Sequence, residues 1–186
     1  MIRSNSEELS ISLTISEKTV GPDHPYVGAP LNNLANLYKM EGRYSEAERL
    51  YRRALQIQEK SLGPSHPMVA GDLNNLGNLY LTEGRYADSE ASLERSLSIQ
   101  EKTLGAGHPL VAGNLNNLGN LYAALGRFSD AEPLFKRSLE IREKAFGPDH
   151  PEVAESLNNL TRTRLHAFTH GTSRPSAVKR TSPKCP

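Results

Sequence analysis

The sequence predicts an all-α protein, an α-solenoid of stacked antiparallel helix pairs. Three observations predict it. A four-residue block recurs as Leu31-Asn32-Asn33-Leu34, Leu73-Asn74-Asn75-Leu76, Leu115-Asn116-Asn117-Leu118 and Leu157-Asn158-Asn159-Leu160, 42 residues apart each time. The His-Pro pairs His24-Pro25, His66-Pro67, His108-Pro109 and His150-Pro151 keep the same interval. Between the blocks, apolar residues such as Leu93, Leu97 and Leu104 follow helical spacing. A fixed period of this size means that each repeat is one supersecondary unit, stacked on the next to bury a shared core.

Residues 1–21 form a half-repeat holding a second helix without its first. Leu9, Leu13, Glu17-Lys18 and Gly21 align with Leu93, Leu97, Glu101-Lys102 and Gly105. The alternation of Leu9, Ile11, Leu13 and Ile15 looks locally like a strand, and the repeat register overrules it. Three complete repeats follow at 22–63, 64–105 and 106–147. Each opens with a short loop ending in His-Pro, proline being suited to a first helical position where no backbone donor is needed. The first helices are expected over 25–40, 67–82, 109–125 and 151–167, the second helices over 44–62, 86–104 and 128–146. Gly42, Gly84 and Gly126 allow the left-handed turn between them, and Gly63, Gly105 and Gly147 end the second helix. Pro30 lies inside the first of these helices and predicts a kink or a late start, whereas Pro133 falls early in its helix at smaller cost.

Within a pair, Leu34, Leu76, Leu118 and Leu160 face the partner helix. Ala35, Gly77 and Gly119 are small so that the two helices approach closely. Tyr51, Leu93 and Phe135 are the large residues set against them. Tyr38, Tyr80 and Tyr122 fill the space near the turn. Residues 148–167 supply a last first helix, in which Thr161 and Arg164 replace the small residue and the tyrosine, so it reads as a capping helix with a solvated outer face. Residues 168–186 are rich in Ser, Thr, Pro and basic residues and read as a disordered tail. The opening half-repeat has no such cap, which reads as a fragment or a truncated gene product.

Leu76-Gly77, Tyr80, Gly84, Tyr86 and Ser89 stand at signature spacing and resemble the tetratricopeptide repeat, with Ala47 and Ala131 giving the usual residue where Ser89 departs. The 42-residue length and the Leu-Gly-x-x-His-Pro-x-Val-Ala junction look like the kinesin-light-chain-type subfamily. The resemblance covers roughly residues 5–166. It implies a right-handed superhelix whose first helices line a concave surface, a protein–protein interaction role, and a place among cargo adaptors.

The asparagines are the candidate site. Asparagine is a poor interior helix residue, yet eleven recur with the period in four helices, as the trios Asn32, Asn33 and Asn36, Asn74, Asn75 and Asn78, and Asn116, Asn117 and Asn120, then as Asn158 and Asn159. The second and third of each trio lie on one helical stripe. An amide both donates and accepts, so it can pair with a peptide backbone of any sequence. The resemblance adds that groove asparagines hold an extended peptide. The expected groove residues are Asn33, Asn36, Asn75, Asn78, Asn117, Asn120 and Asn159, with Leu81 and Ala123 making its middle apolar. The alternative for any of them is a bridge between neighbouring helices, weighed most for Asn32, Asn74, Asn116 and Asn158. Charge reaches the groove only at its ends, from Lys39, Arg162 and His166. The basic positions with which the chaperone-type groove clamps a carboxylate hold Asn32, Gly113 and Asn117 here, with no Lys or Arg.

Other chemistry is excluded or weak. The four periodic histidines stand one to a repeat. Stacked helices lie about 8–10 Å apart, too far for ligands about 2 Å from zinc, so they read as helix-start residues and no metal is expected. There is no phosphate loop, nucleophile elbow or metal-spaced cluster, so no enzyme activity and no cofactor are expected. Glu48, Glu90 and Glu132 read as solvated helix surface. The Asn159-Leu160-Thr161 sequon lies in a helix and is discounted. The whole chain carries +1 and its last 31 residues +6, which leaves residues 1–155 at −5. Spread charges without an aromatic platform give no specific nucleic-acid site. No apolar run approaches the roughly 20 residues of a membrane span. The N-terminus has no apolar core of a secretory signal, and the lone Cys185 forms no internal disulfide, so a cytoplasmic protein is expected. The expected partner is a protein or peptide held in the concave groove. The alternatives are self-association through the solenoid ends, using Leu9, Leu13 and Val20, and a sensor part of a larger signalling protein.

Overall fold

The computed structural model of the chain describes residues 5–171, with side chains to Thr169. Eight α-helices and no strand are found among them: α1 (Asn5–Val20), α2 (Gly28–Met40), α3 (Tyr44–Leu62), α4 (Pro67–Thr82), α5 (Tyr86–Leu104), α6 (Pro109–Ala124), α7 (Phe128–Phe146) and α8 (Pro151–Gly171). A single 3-10 turn, Pro25–Val27, precedes α2. Helix α2 therefore starts late, as Pro30 demands. The shift places Pro30 in the first turn of α2, where its missing N–H has no helical acceptor to lose. Helix α8 runs four residues past the sequence estimate, and the rest of the expected tail, 172–186, lies outside the described residues.

The helix starts follow from the His-Pro step. In each, the histidine Nδ1 accepts from the N–H two residues on, at 3.2–3.3 Å, and the backbone of His24, His66 and His108 is extended. The histidines thus cap helices, a role normally taken by Ser, Thr, Asp or Asn. Gly42, Gly84 and Gly126 take φ of 76°, 73° and 71°, a left-handed conformation that side chains disfavour.

Consecutive helices pack as antiparallel pairs, α2 with α3, α4 with α5 and α6 with α7, and each pair stacks on the next. Helices α2, α4, α6 and α8 also touch one another in sequence, while α3, α5 and α7 do not. The first set therefore forms the inner, concave row of a right-handed α-solenoid. Ser89, Ser96 and Ser138 are buried at helix contacts, and each hydroxyl donates to a carbonyl of the facing helix at 2.7–2.9 Å. Small polar residues fit there because their one donor is satisfied.

Two expectations about the surface change. Leu13 is not a free end residue: it is buried in the core beside Leu31 and Leu34, and the apolar residues left open on α1 are Ile11, Ile15 and Val20. Glu48, Glu90 and Glu132 are not simply solvated. Glu48 accepts from Tyr80 and Arg85 of the following repeat, Glu90 from Arg127 and Glu132 from Arg164. Burial alone would raise the Glu48 pKa, and hydrogen bonds from Arg52, Tyr80 and Arg85 hold it below the ordinary value. Arg43, Arg85 and Arg127 also lie over the Tyr38, Tyr80 and Tyr122 rings at 3.9–4.2 Å. Leu157, Leu165 and Phe168 of α8 are exposed. No described helix is long and apolar enough to cross a membrane.

Candidate functional site

The concave row carries two recesses. The first, of about 660 Å³, spans the start of α2 and the N-terminal halves of α4, α6 and α8 and is lined by Met68, Asp72, Asn75, Leu110, Asn117 and Glu155, among others. Helical spacing places these side chains together, since Met68, Asp72 and Asn75 fall at offsets of four and three. The second, of about 800 Å³, lies nearer the helix C-termini and is lined by Leu81, Asn120, Ala123, Asn159, Arg162 and His166.

The expected groove residues divide accordingly. Asn75 and Asn117 line the first recess, and Leu81, Asn120, Ala123 and Asn159 the second. Asn33, Asn36 and Asn78 line neither. Helix α2 reaches the first recess only through Ala29 and Asn32, near its start. Lys39, also on α2, lines neither recess, and burial lowers its pKa.

Hydrogen bonding divides the asparagines again. Asn117 Nδ2 donates to Asn74 Oδ1 at 2.9 Å and Asn159 Nδ2 to Asn116 Oδ1 at 3.0 Å, each across 43 residues. Asn116 also donates to Glu155 at 3.2 Å, and Asn32 to Asp72 at 2.6 Å. Asn36 accepts from the Tyr51 hydroxyl at 2.5 Å, and burial raises that phenol to about 12. The bridging role therefore extends to Asn117 and Asn159 as well as to Asn32, Asn74 and Asn116, whereas Asn158 is exposed and makes no side-chain hydrogen bond among the described residues. Asn33, Asn75, Asn78 and Asn120 make no side-chain hydrogen bond within the described residues, which leaves their amides open to a ligand.

Charge in the groove is not confined to its ends. Asp72, Arg142, Glu152 and Glu155 all line the first recess. Arg142 is only 6% exposed, and it contacts Glu152 and Glu155 at 3.1 Å each. Asp72 is 1% exposed. It accepts from Asn32, and the Gln58 amide, turned to present its nitrogen, reaches its other oxygen at 3.3 Å. Among the described residues no Lys, Arg or His pairs with it. The signal was available in the sequence, since Asp72 lies three residues before Asn75 on the same face. The repeat alignment hid it, because the equivalent residues are Pro30, Asn114 and Ser156.

Burial pushes the Asp72 pKa up to about 6, the Asn32 hydrogen bond opposes the shift, and the Glu59 charge adds to it. Its unfolded value is about 3.9. The native state therefore holds this proton more tightly, and its contribution to stability falls as pH rises from about 4 to about 6, then stays level. Asp72→Asn removes the titration while keeping the amide found naturally at Asn114. The stability of the variant relative to the native chain is expected to rise by about 2 kcal/mol between pH 4 and pH 7. Urea unfolding of both proteins across that range checks this, and parallel curves would place Asp72 in a solvated setting.

A tetratricopeptide repeat profile matches residues 7–60, 26–102, 72–144 and 110–168. No curated protein matches the sequence. Among solved structures, the chain is similar to the nearly identical TPR-like repeats of a Podosopora anserina protein assigned to the kinesin light chains. That match has 28% identity and a TM-score of 0.71 over 90% of this chain and 79% of that one. BtubC (BKLC) from P. vanneervenii shares 20% identity over 96% of this chain and 78% of its own, with a TM-score of 0.72. The first TPR of Spaghetti (RPAP3), bound to the HSP90 peptide SRMEEVD, matches at 18% identity and a TM-score of 0.54, over 76% of this chain and 93% of that one. The last two likenesses concern the fold alone. The period, the close glycine contacts, the concave inner row and the profile agree, and the chain belongs to the tetratricopeptide repeat family, with kinesin-light-chain-like repeats.

Proposed function

We propose that this chain is a protein-interaction scaffold that holds an extended peptide segment of a partner along its concave face. The observation that carries this reading is the set of open amides on the inner row: Asn75 in the first recess and Asn120 in the second, with Asn78 between them in sequence. An open amide offers a peptide backbone a donor and an acceptor at once. Leu81 and Ala123 give apolar side chains of the ligand a surface beside Asn120. The peptide complex of Spaghetti supports use of this architecture for peptides. The acidic peptide seen there suits this groove poorly, since three carboxylates and one guanidinium line the first recess. The likeness to the Podosopora anserina repeats supports an adaptor role, in which the peptide belongs to a cargo protein.

The test is a peptide-array screen with the native chain beside an Asn75→Ala, Asn120→Ala double variant. Neither side chain makes a hydrogen bond among the described residues, so the fold is expected to survive. Each lost hydrogen bond is worth about 0.5–1.5 kcal/mol, so hits are expected to weaken about tenfold or more. Hits that keep their strength in the variant would remove the asparagines from the reading.

A further inference from the structure

We propose that the first recess selects a basic–apolar–basic segment, with one Lys or Arg of the ligand set against Asp72 and a second against Glu152 and Glu155. This rests on the groove reading above and names the chemistry of the ligand.

Four observations carry it. The recess carries two anionic points, Asp72 on α4 and the Glu152–Glu155 pair on α8, with α6 between them. Arg142 offsets only one of the two glutamates, so both points keep net negative charge. Between them the recess offers exposed apolar surface beside Asn117: Leu110 on α6 is exposed, as are Met68 and Phe146 at its flanks, and all line the same recess. Such a surface suits the aliphatic stems of Lys and Arg as well as apolar neighbours.

Asp72 itself is not a requirement of the fold. The same position is filled by Asn114 and Ser156 in later repeats, where neutral groups satisfy the site through Ser96 and Ser138. A carboxylate placed there carries a desolvation cost with no cation to offset it. Beside it, Asn32 Oδ1 is buried without a hydrogen-bond partner. An acceptor without a donor next to a carboxylate without a cation is a pair that a ligand cation would complete.

Spacing sharpens the prediction. Neighbouring helices stand about 8–10 Å apart, so two steps from α4 to α8 span roughly 18 Å. An extended chain rises about 3.3 Å per residue. The two basic residues should therefore lie about six apart, an even number that places both on one side of the strand.

The experiment uses three fluorescein-labelled twelve-residue peptides read by fluorescence anisotropy. They share an Ala/Leu/Asn sequence and carry Lys, Gln or Glu at two positions six apart. The Lys peptide is expected to bind at least tenfold more tightly than the Gln peptide, and the Glu peptide more weakly still. Raising salt from 50 to 200 mM should weaken the Lys peptide several-fold, because attraction to the half-exposed Glu152 and Glu155 is screened. Asp72→Asn should cost the Lys peptide about tenfold and leave the Gln peptide unchanged. Melting of the variant at or above the native temperature would separate lost binding from lost fold.

Equal binding of the Lys and Gln peptides, tighter binding of the Glu peptide, or an unaffected Lys peptide in Asp72→Asn overturns the charge assignment. If array hits that need Asn75 and Asn120 exist while none of these three peptides binds, the assignment falls and the groove reading stands. If neither the array nor the peptides bind, both fall.

Discussion

Gly119→Val is expected to destabilise the chain by about 3 kcal/mol, at the upper end of overpacking costs. Gly113→Ala, six residues earlier on the same helix, is expected to stabilise it by about 0.5–1 kcal/mol. The opposite signs come from what each position faces. A Cβ at Gly119 would stand 2.7 Å from Phe135 Cε1 and 2.8 Å from its Cζ. The Phe135 side chain is fully buried, and at the packing density of a protein interior its ring has no space to retreat into. At Gly113 nothing lies within 4 Å, so Ala brings only its better helix propensity. Gly77 repeats the constraint one unit earlier, with a Cβ meeting Leu93 Cγ at 2.6 Å. Ala35 holds the same station in the first pair and shares a core cluster with Tyr51, so that pair accommodates one more carbon. Urea unfolding gives the sign for each variant. Repeat proteins unfold through neighbour-coupled units, so amide exchange over α6 and α7 should localise the loss. A Gly119→Val chain as stable as the native one would mean that α6 and α7 do not pack this closely.

Arg142→Ala is expected to loosen α8 by about 3 kcal/mol while α1 to α6 keep their protection. Arg142 Nη1 donates to the Glu152 carbonyl at 3.0 Å, to Glu155 at 3.1 Å and to the Ser156 hydroxyl at 2.8 Å, all on α8. Charged hydrogen bonds of this kind contribute about 1.5–3 kcal/mol, and removal of the stem leaves a cavity. The cost stays below that of a fully buried ion pair, because the Glu152 and Glu155 side chains are about half exposed and regain water. Arg142→Gln restores the residue type of Gln58 and Gln100 at this station and should cost about 1 kcal/mol, a single neutral hydrogen bond. Helix α8 touches only α7 and α6 among the described residues, so the effect should read as faster amide exchange confined to it. Uniform loss across all helices would show that the solenoid unfolds as one unit.

Most of the fold was legible in the sequence. His24, His66, His108 and His150 before proline set the helix starts, and Gly42, Gly84 and Gly126 set the turns. Gly77 and Gly119 against Leu93 and Phe135 set the close approach of each pair. The candidate site was legible in part. The asparagine stripe pointed to the inner row, and Asn75, Asn117, Asn120 and Asn159 do reach its recesses. The sequence did not show that Asn117 and Asn159 are held by Asn74 and Asn116, nor that Asp72, Glu152 and Glu155 charge the groove. It also left the Arg85–Glu48 and Arg127–Glu90 links unread.

The division has a physical reason. By itself the sequence determined helix bounds, turns and buried faces, because caps, left-handed glycines and apolar periodicity act within a turn or two of the chain. Only the tertiary structure decided which amides are spent between helices and which stay open, and which charges share one recess. The asparagine bridges between inner helices span 39 to 43 residues. They depend on the rotation of each helix about its axis and on the curvature of the stack, and a repeat period constrains neither.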